Sequence, residues 1–410
     1  MATVKFKDVS PYKKSQPLPP TQDYLYQKYL EDLALKKEIQ HPKIKLALFG
    51  VGRAGAIHLS NIVNNPRVKL VYIVDDYESN WKNLKEYWHF EDVTFLNSKQ
   101  ADKVYNDSNV DAVIVATPTY THEVIVRKAL EGKKAVFCEK PIAEDNVSSL
   151  KCYDTARKVS KPLFCAFNRR FDPSYAAVKE RVRSGEIGHV HVIKTVSRDS
   201  PLPSIDYLKI SGGIFHDCMV HDFDTITWIL GEYPVKLWFF GKRGVNVNFV
   251  SCNNFHANIC PQVAAQAYAH IPEIKAIDDY DTVVVTLYFP SGTLGMVDVS
   301  RNSAYGYDQR LEVFGPKGMI VANNEQTNGV NSHNGVQGII SAPIWYSFAS
   351  RFMNGYRREL DHFINVVLGK TEPSVLPKEI LAVSKIATAC EESVRTGKMV
   401  EINWAPNELL

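Results

Sequence analysis

The stretch that most restricts this chain runs from Lys43 to Asp76, KIKLALFGVGRAGAIHLSNIVNNPRVKLVYIVDD. An apolar run, Leu46–Phe49, stops at Gly50-Val51-Gly52-Arg53-Ala54-Gly55 and gives way to a segment of helical period, Arg53–Val63. A second apolar run, Val68–Val74, ends in Asp75 and Asp76. The order is strand, glycine turn, helix, strand, acid, with the acid about 20 residues past the last glycine, as the dinucleotide-binding fingerprint requires. Each position has a physical task. Gly50 permits a tight turn, Gly52 leaves no side chain where backbone must meet a pyrophosphate, and Gly55 lets the helix lie close on the strand. The helix start offers free N–H groups and the positive end of its dipole to the anion. Asp75 is placed to accept hydrogen bonds from a ribose. Together Asp75 and Asp76 would repel a 2′-phosphate, which favours NAD over NADP. Arg53, inside the turn, faces either the pyrophosphate side or solvent.

Past Asp76, apolar runs and helical segments alternate. Strands are expected over Thr94–Leu96, Ala112–Ala116, Ala135–Cys138 and Leu163–Phe167, and helices over Glu123–Leu130 and Asp145–Val159. Such alternation predicts a parallel, doubly wound α/β sheet whose ligands sit beyond the carboxyl ends of its strands. Thr117, Glu139 and Lys140 fall on that rim, beside the glycine turn.

From Asn168 the pattern changes. Strands at Val190–Val196, Val235–Phe240, Val283–Phe289, Thr293–Val299 and Gln309–Phe314, with turns such as Pro290-Ser291-Gly292, predict a largely antiparallel, open sheet. Helices are expected over Val220–Leu230, Phe348–Leu368 and Lys378–Thr396, and residues 242–280 read as an extended loop. The expected plan is an N-terminal extension (1–42), a dinucleotide-binding domain (43–166) and an α+β domain (167–410) for substrate binding and oligomerisation. In the extension, Pro11–Pro20 is proline-rich and Asp23–Gln40 has helical spacing, so it reads either as a cap on a domain or subunit or as a disordered tail. An antiparallel sheet covered by helices on one face needs cover on the other, which predicts a homo-oligomer, dimer or tetramer.

Composition excludes several classes of function. A net charge of +3 over 410 residues gives no basis for nucleic-acid or acidic-membrane binding. The seven cysteines are scattered, without a CxxC pair, and read as reduced thiols of a cytoplasmic protein. No apolar run has the length of a membrane span, and the N-terminus lacks a signal-peptide core.

The segment richest in chemistry is Gly212–Asp224, GGIFHDCMVHDFD. If it is helical, Asp217 and His221 lie four residues apart on one face, whereas His216 and His221, five apart, diverge. That spacing favours an Asp/His acid–base pair over a two-histidine metal site, and no metal is expected. Taken alone, the segment also fits two polar residues satisfying each other in a core. Lys140 stands at the end of a parallel strand, before Pro141, where a nicotinamide ring would lie.

Five stretches, GVGRAG (Gly50–Gly55), TPTYTH (Thr117–His122), EKP (Glu139–Pro141), FNRRFD (Phe167–Asp172) and DCMVH (Asp217–His221), together resemble the glucose-fructose oxidoreductase and inositol dehydrogenase superfamily. The likeness runs from Lys43 to about Asn403. Two further stretches, SRDSP with SGGIFHD, and SRNSAYGYDQRLEVFGPKG (Ser300–Gly318), are similar to inositol 2-dehydrogenases. The resemblance implies catalysis by Lys140, Asp217 and His221, and a cis peptide at Lys140-Pro141. It implies NAD contacts from Gly50, Gly52, Arg53, Ala54, Gly55, Asp75, Asp76, Thr117, Pro118, His122, Glu139, Lys140 and Arg169. For the substrate it implies Lys140, Asn168, Arg169, Asp199, Asp217, His221, Tyr305 and Tyr307, although the tyrosines also suit cross-strand packing. Around Ser197–Asp199 some bacterial relatives carry His and Asn, so the preferred stereoisomer stays open.

In this reading His221, with an ordinary imidazole pKa of about 6.5, accepts the hydroxyl proton. Lys140 stabilises the developing alkoxide, and Asp217 orients His221 or holds a neighbouring hydroxyl. The expected reaction is NAD-dependent oxidation of a secondary hydroxyl of a cyclitol, myo-inositol to 2-keto-inositol or an isomer. The alternatives are an aldose, or scyllo- or chiro-inositol, on the same machinery. A non-catalytic NAD sensor would show degraded catalytic positions, and here all three are filled.

Overall fold

Uninterrupted apolar strands need cover on both faces, and the first sheet meets that need with helices on either side. The computed structural model describes Leu30, residues 43–234 and residues 263–405. The expected helix over Asp23–Gln40, apart from Leu30, and the expected strand Val235–Phe240 lie outside these residues. Strands β1 (Ile44–Phe49), β2 (Val68–Val74), β3 (Thr94–Leu96), β4 (Ala112–Val115), β5 (Ala135–Glu139) and β6 (Leu163–Ala166) form a parallel sheet in the order β3-β2-β1-β4-β5-β6. All of Ala112–Val115 is fully buried, as its unbroken apolar sequence requires. The strand order reverses between β1 and β4, which opens a crevice beyond their carboxyl ends. Helix starts follow local chemistry. Asp145 caps the helix Asn146–Val159 by accepting from the Ser148 N–H, and Asp172 caps Pro173–Arg183, where proline fills the first turn.

The second sheet contains β7 (Val192–Arg198), β8 (Val263–Tyr268), β9 (Thr282–Tyr288), β10 (Leu294–Ser300), β11 (Asp308–Gly315) and β12 (Gly318–Ala322), in the order β12-β11-β7-β10-β9-β8. Every neighbour is antiparallel except the β7–β10 pair. Its inner face buries Val283, Val285, Leu287, Val297 and Val299, and the helices Val220–Leu230 and Pro377–Thr396 cover it. Val284, Leu294, Met296, Phe314, Met319 and Val321 stand partly exposed on the alternate positions.

Three parts differ from expectation. Residues 242–280 are not one loop, because the described part carries β8 and a short helix, Pro272–Lys275. The VAAQAY of β8 has little strand preference of its own, and pairing along β9 decides its conformation. The expected helix Phe348–Leu368 breaks at Phe352 (φ −106°, ψ 19°) into Phe348–Arg351 and Met353–Val367. A hairpin, β13 (Asn331–Asn334) and β14 (Gly338–Ser341), and the helix Trp81–Trp88 were not expected, although Trp81, Leu84 and Trp88 recur at helical spacing and pack on the core. The helix Met353–Val367 returns to the first sheet, where Arg67 bonds Asp361 and, at 2.8 Å, Asn365. It packs there against the helix Arg53–Val63 and the turn Asn168–Phe171.

Candidate active site

A cavity of about 1040 Å³ fills the crevice, lined from both sheets. On its first wall lies the glycine turn. Gly50 has φ +84°, and a Cβ there would sit 2.6 Å from the Ala116 carbonyl oxygen. A Cβ on Gly55 would meet the Gly50 carbonyl oxygen at 2.1 Å, so this glycine is required by helix-on-strand packing. Gly52 differs, since a Cβ there would meet nothing within 4 Å; the residue borders the cavity. It is the N-cap of the helix Arg53–Val63, which has no side-chain cap and no acid in its first turn. Free N–H groups and the dipole therefore favour an anion there. Asp75 is held at the end of β2 by the backbone N–H groups of Val51 (2.7 Å) and Tyr77 (2.8 Å), and Asp76 accepts from Ser98 N–H (2.7 Å). Both carboxylates border the cavity. This donor set and cradle fit a dinucleotide.

Thr117, Pro118, His122 and Glu139 also border the cavity. The His122 ring lies 2.7 Å from the Pro141 carbonyl oxygen and 2.8 Å from that of Thr117, so it ties two rim loops together. Burial lowers its pKa despite those carbonyls. Glu139 bonds the buried His58 at 2.7 Å, and the Lys140-Pro141 peptide is cis.

On the opposite wall the segment Phe215–Met219 is a π-helix, followed by the α-helix Val220–Leu230. This wider turn sits between Asp217 and His221, and it alters the shared face that an α-helix would give. Among the described residues Asp217 has three side-chain partners. Lys140 Nζ donates to its Oδ1 (3.1 Å) and to its backbone carbonyl (2.5 Å), the Tyr207 hydroxyl donates to Oδ1 (2.8 Å), and Arg301 donates to Oδ2 (3.1 Å). Arg301 is fully buried and also pairs with Asp279 at 3.1 Å. Burial pushes the Asp217 pKa up, but Lys140, Arg301 and the Tyr207 hydroxyl outweigh it and leave the carboxyl below its usual range.

His221 is not among the partners of Asp217. Among the described residues its Nδ1 has no hydrogen-bond partner, and its ring meets Phe167 edge-on at 5.9 Å. Burial, with Lys140 and Arg169 adding positive potential, holds its pKa well below the ordinary value. The imidazole is therefore held toward its neutral form, away from the ordinary pKa of about 6.5 expected of it from the sequence.

Arg169 donates to Ser197 Oγ (3.1 Å) and Asp222 Oδ1 (3.2 Å), and with Asn168, Asp199 and Tyr307 it lines the same cavity. Burial raises the Asp199 carboxyl pKa although the Cys218 thiol donates to it at 3.3 Å. Tyr305 is the exception among the expected substrate contacts. It is 56% exposed, its hydroxyl donates to Asp308 (2.5 Å), and it lies outside the cavity lining. Asp308 binds it because the bend after β10 turns the tyrosine outward while Tyr307 turns in. The sequence reading missed Tyr207, Arg301, Cys218 and Ser197. Arg301 lay within the recognised SRNSAYGYD stretch, whereas Tyr207 stands in a single helical turn, Ile205–Leu208, after a proline-rich stretch with no pattern to mark it. Among the described residues no group of three or more His, Cys, Asp or Glu is arranged to hold a metal.

Comparison with known proteins agrees with this fold. Residues 44–167 match an oxidoreductase family profile with an NAD-binding Rossmann fold, and residues 175–321 match the GFO/IDH/MocA C-terminal domain. The myo-inositol 2-dehydrogenase of Thermotoga maritima is 34% identical over 361 residues, which cover 88% of this chain and 98% of that protein. A solved structure of a putative myo-inositol dehydrogenase from Sinorhizobium meliloti superposes with a TM-score of 0.77 at 30% identity, covering 88% of this chain and all (100%) of the other. The scyllo-inositol dehydrogenase of Lactobacillus casei, solved with NAD(H) and scyllo-inositol bound, gives a TM-score of 0.75 at 25% identity, covering 88% and 99%.

Proposed function

This chain belongs to the GFO/IDH/MocA family of oxidoreductases as an NAD-dependent dehydrogenase acting on CH–OH, and on that premise we propose that it oxidises a secondary hydroxyl of a cyclitol, myo-inositol or a stereoisomer, to the ketone. The observation that carries the reading is the meeting of Lys140, Asp217 and His221 in the cavity that also holds the glycine turn and Asp75. Bound NAD supplies the hydride acceptor. The turn N–H groups and the helix dipole would hold its pyrophosphate, and Asp75 would accept from its ribose. His221 takes the hydroxyl proton, which a neutral imidazole in hydrogen-bond reach can do. The Lys140 ammonium faces the oxygen as alkoxide character develops and stabilises it in a site shielded from water. Asp217 acts on Lys140, holding the ammonium by two of its donor directions. Asn168, Arg169, Asp199 and Tyr307 offer the donors and acceptors that a polyhydroxylated ring needs, and such a site rejects analogues lacking a hydroxyl.

The bulk of the chain divides at about residue 166 into dinucleotide and substrate domains, and the apolar open face of the second sheet is the surface through which copies associate as a homo-oligomer. Light scattering on the purified protein tests this, and a monomer at micromolar concentration would contradict it. We assign the protein to the cytoplasm. The described cysteines Cys138, Cys152, Cys165, Cys218 and Cys390 are free thiols, and no helix among the described residues is long and apolar enough to cross a membrane. The substrate test is initial-rate NAD reduction at 340 nm with myo-, scyllo- and chiro-inositol, glucose and xylose. Turnover on an inositol supports the reading, and turnover on an aldose alone contradicts the cyclitol assignment while leaving the chemistry in place.

A further inference from the structure

Residues between β7 and the π-helix close the cavity opposite the glycine turn, with Pro201, Pro203, Tyr207 and Ile210 on its lining. Tyr207 stands in the one-turn helix Ile205–Leu208, whose start is capped when Ser204 Oγ accepts from the Tyr207 N–H at 3.3 Å. Its ring packs under the Arg53 guanidinium, 4.8 Å from carbon to centroid, and Arg53 lies 5.8 Å from the Phe348 ring. Its hydroxyl, 2.8 Å from Asp217 Oδ1, shares that oxygen with Lys140 Nζ. One side chain thus touches both the arginine of the glycine turn and the carboxylate that holds the lysine.

A carboxylate gripped at one oxygen can still rotate about its last torsion. Arg301, itself fixed by Asp279, grips Oδ2. Among the described residues the only other side-chain donor on Oδ1 is Lys140, the group whose position matters. A long lysine cannot fix its own partner, because its four methylenes adapt to wherever the partner goes. The phenol is the rigid donor on that oxygen. Burial and the Asp217 charge push its pKa up, so it stays a donor across the working pH range.

We propose that Tyr207 is a positioning residue for hydride transfer: its hydroxyl locks the Asp217 carboxylate in the orientation that presents the Lys140 ammonium to the substrate oxygen. The inference rests on the role given above to Lys140. The groups facing Asp217 are Lys140, Arg301, Tyr207, Cys218 and Asp199. Replacing the phenol by phenyl changes only one of them.

The test uses the full chain with Tyr207→Phe, which keeps the ring and its contact with Arg53. Turnover on the best cyclitol should fall about 10- to 100-fold, the scale of a catalytic group displaced by about 1 Å. The NAD Kd and the thermal midpoint should match wild type. The acid limb of the kcat/KM profile should move to higher pH, since Asp217 loses a donor that lowers its pKa, and a purely structural role would leave that limb in place. A readout independent of turnover is acetylation of Lys140 by acetic anhydride, followed by mass spectrometry, which should quicken severalfold in the variant without NAD. Wild-type turnover with an unshifted profile, or unchanged Lys140 labelling, overturns the proposal. Lys140→Ala run in parallel separates the causes. If it is inactive while Tyr207→Phe behaves as wild type, Tyr207 fails and the role of Lys140 stands; if Lys140→Ala retains full turnover, both fail.

Discussion

Gly52→Ala offers a clean separation of folding from cofactor binding. The added Cβ meets nothing within 4 Å, and Gly52 has φ −74° and ψ −158°, a conformation open to any residue. Alanine is a poorer N-cap than glycine, so the variant should lose about 1 kcal/mol or less of stability, a shift of roughly 2–4 °C at most for a domain of this size. The same methyl projects into the cavity at the helix N-terminus, where it holds a pyrophosphate away from the N–H donors. Losing one hydrogen bond to a charged group costs about 1.5–3 kcal/mol, or roughly 10- to 150-fold in Kd. Calorimetric NAD titration beside a thermal scan measures both quantities. Gly55→Ala is the opposite control. Its Cβ would lie 2.1 Å from the Gly50 carbonyl oxygen, a backbone atom that cannot swing aside, so the fold itself should suffer by about 1–3 kcal/mol or more. Wild-type NAD affinity in a folded Gly52→Ala protein would refute the pyrophosphate seat.

Other perturbations act on the opposite wall or the strand end. Lys140→Ala should lower kcat by about 10²- to 10³-fold, the value of one oriented donor to a developing oxyanion, with the NAD Kd within a few-fold of wild type by fluorescence titration. His221 is held neutral by burial, Lys140 and Arg169, whereas in the unfolded chain it binds a proton below about pH 6.5. The unfolded state then holds more protons, so the stability due to His221 is present above pH 6.5 and lost as pH falls from there through the depressed folded value; denaturation curves for His221→Phe should show a weaker acid loss. Asp75→Ser should weaken NAD binding and narrow the preference for NAD over NADP, measured as the ratio of the two kcat/KM values. Tyr305→Phe should leave kcat and KM within twofold of wild type in the 340 nm assay, because its hydroxyl serves Asp308 at the surface.

Legibility in the sequence followed the range of the interactions. The helix Arg53–Val63 and strands β2 and β3 have the expected bounds because each is marked by its own apolar run and punctuation. Strand β8 was invisible, since the alanine-rich VAAQAY becomes a strand only when β9 lies alongside. The same distinction governs the site. Motifs named Lys140, Asp217 and His221, and all three line one cavity. Their mutual roles were harder to read, because spacing of four residues implies a shared helical face and the π-helix Phe215–Met219 alters it. Asp217 accordingly engages residues 77 and 84 positions away in sequence, Lys140 and Arg301, together with Tyr207. Nothing local to any of those residues announces the cluster. Tyr305 and Tyr307 show the converse: adjacent in pattern, they part at a bend that only the folded chain defines.

The central claim is that a carbinol hydrogen of a cyclitol passes to NAD under the control of Lys140 and His221. Its most direct measurement is incubation of the purified protein and NAD with myo- and scyllo-inositol deuterated at the ring carbons, followed by proton NMR of the reduced nicotinamide. The account predicts deuterium in the NADH formed, with a slowed rate relative to unlabelled substrate, and about 10²- to 10³-fold slower labelling in Lys140→Ala. NADH free of deuterium, or unlabelled and labelled inositols both left unchanged by a protein that binds NAD, would contradict it.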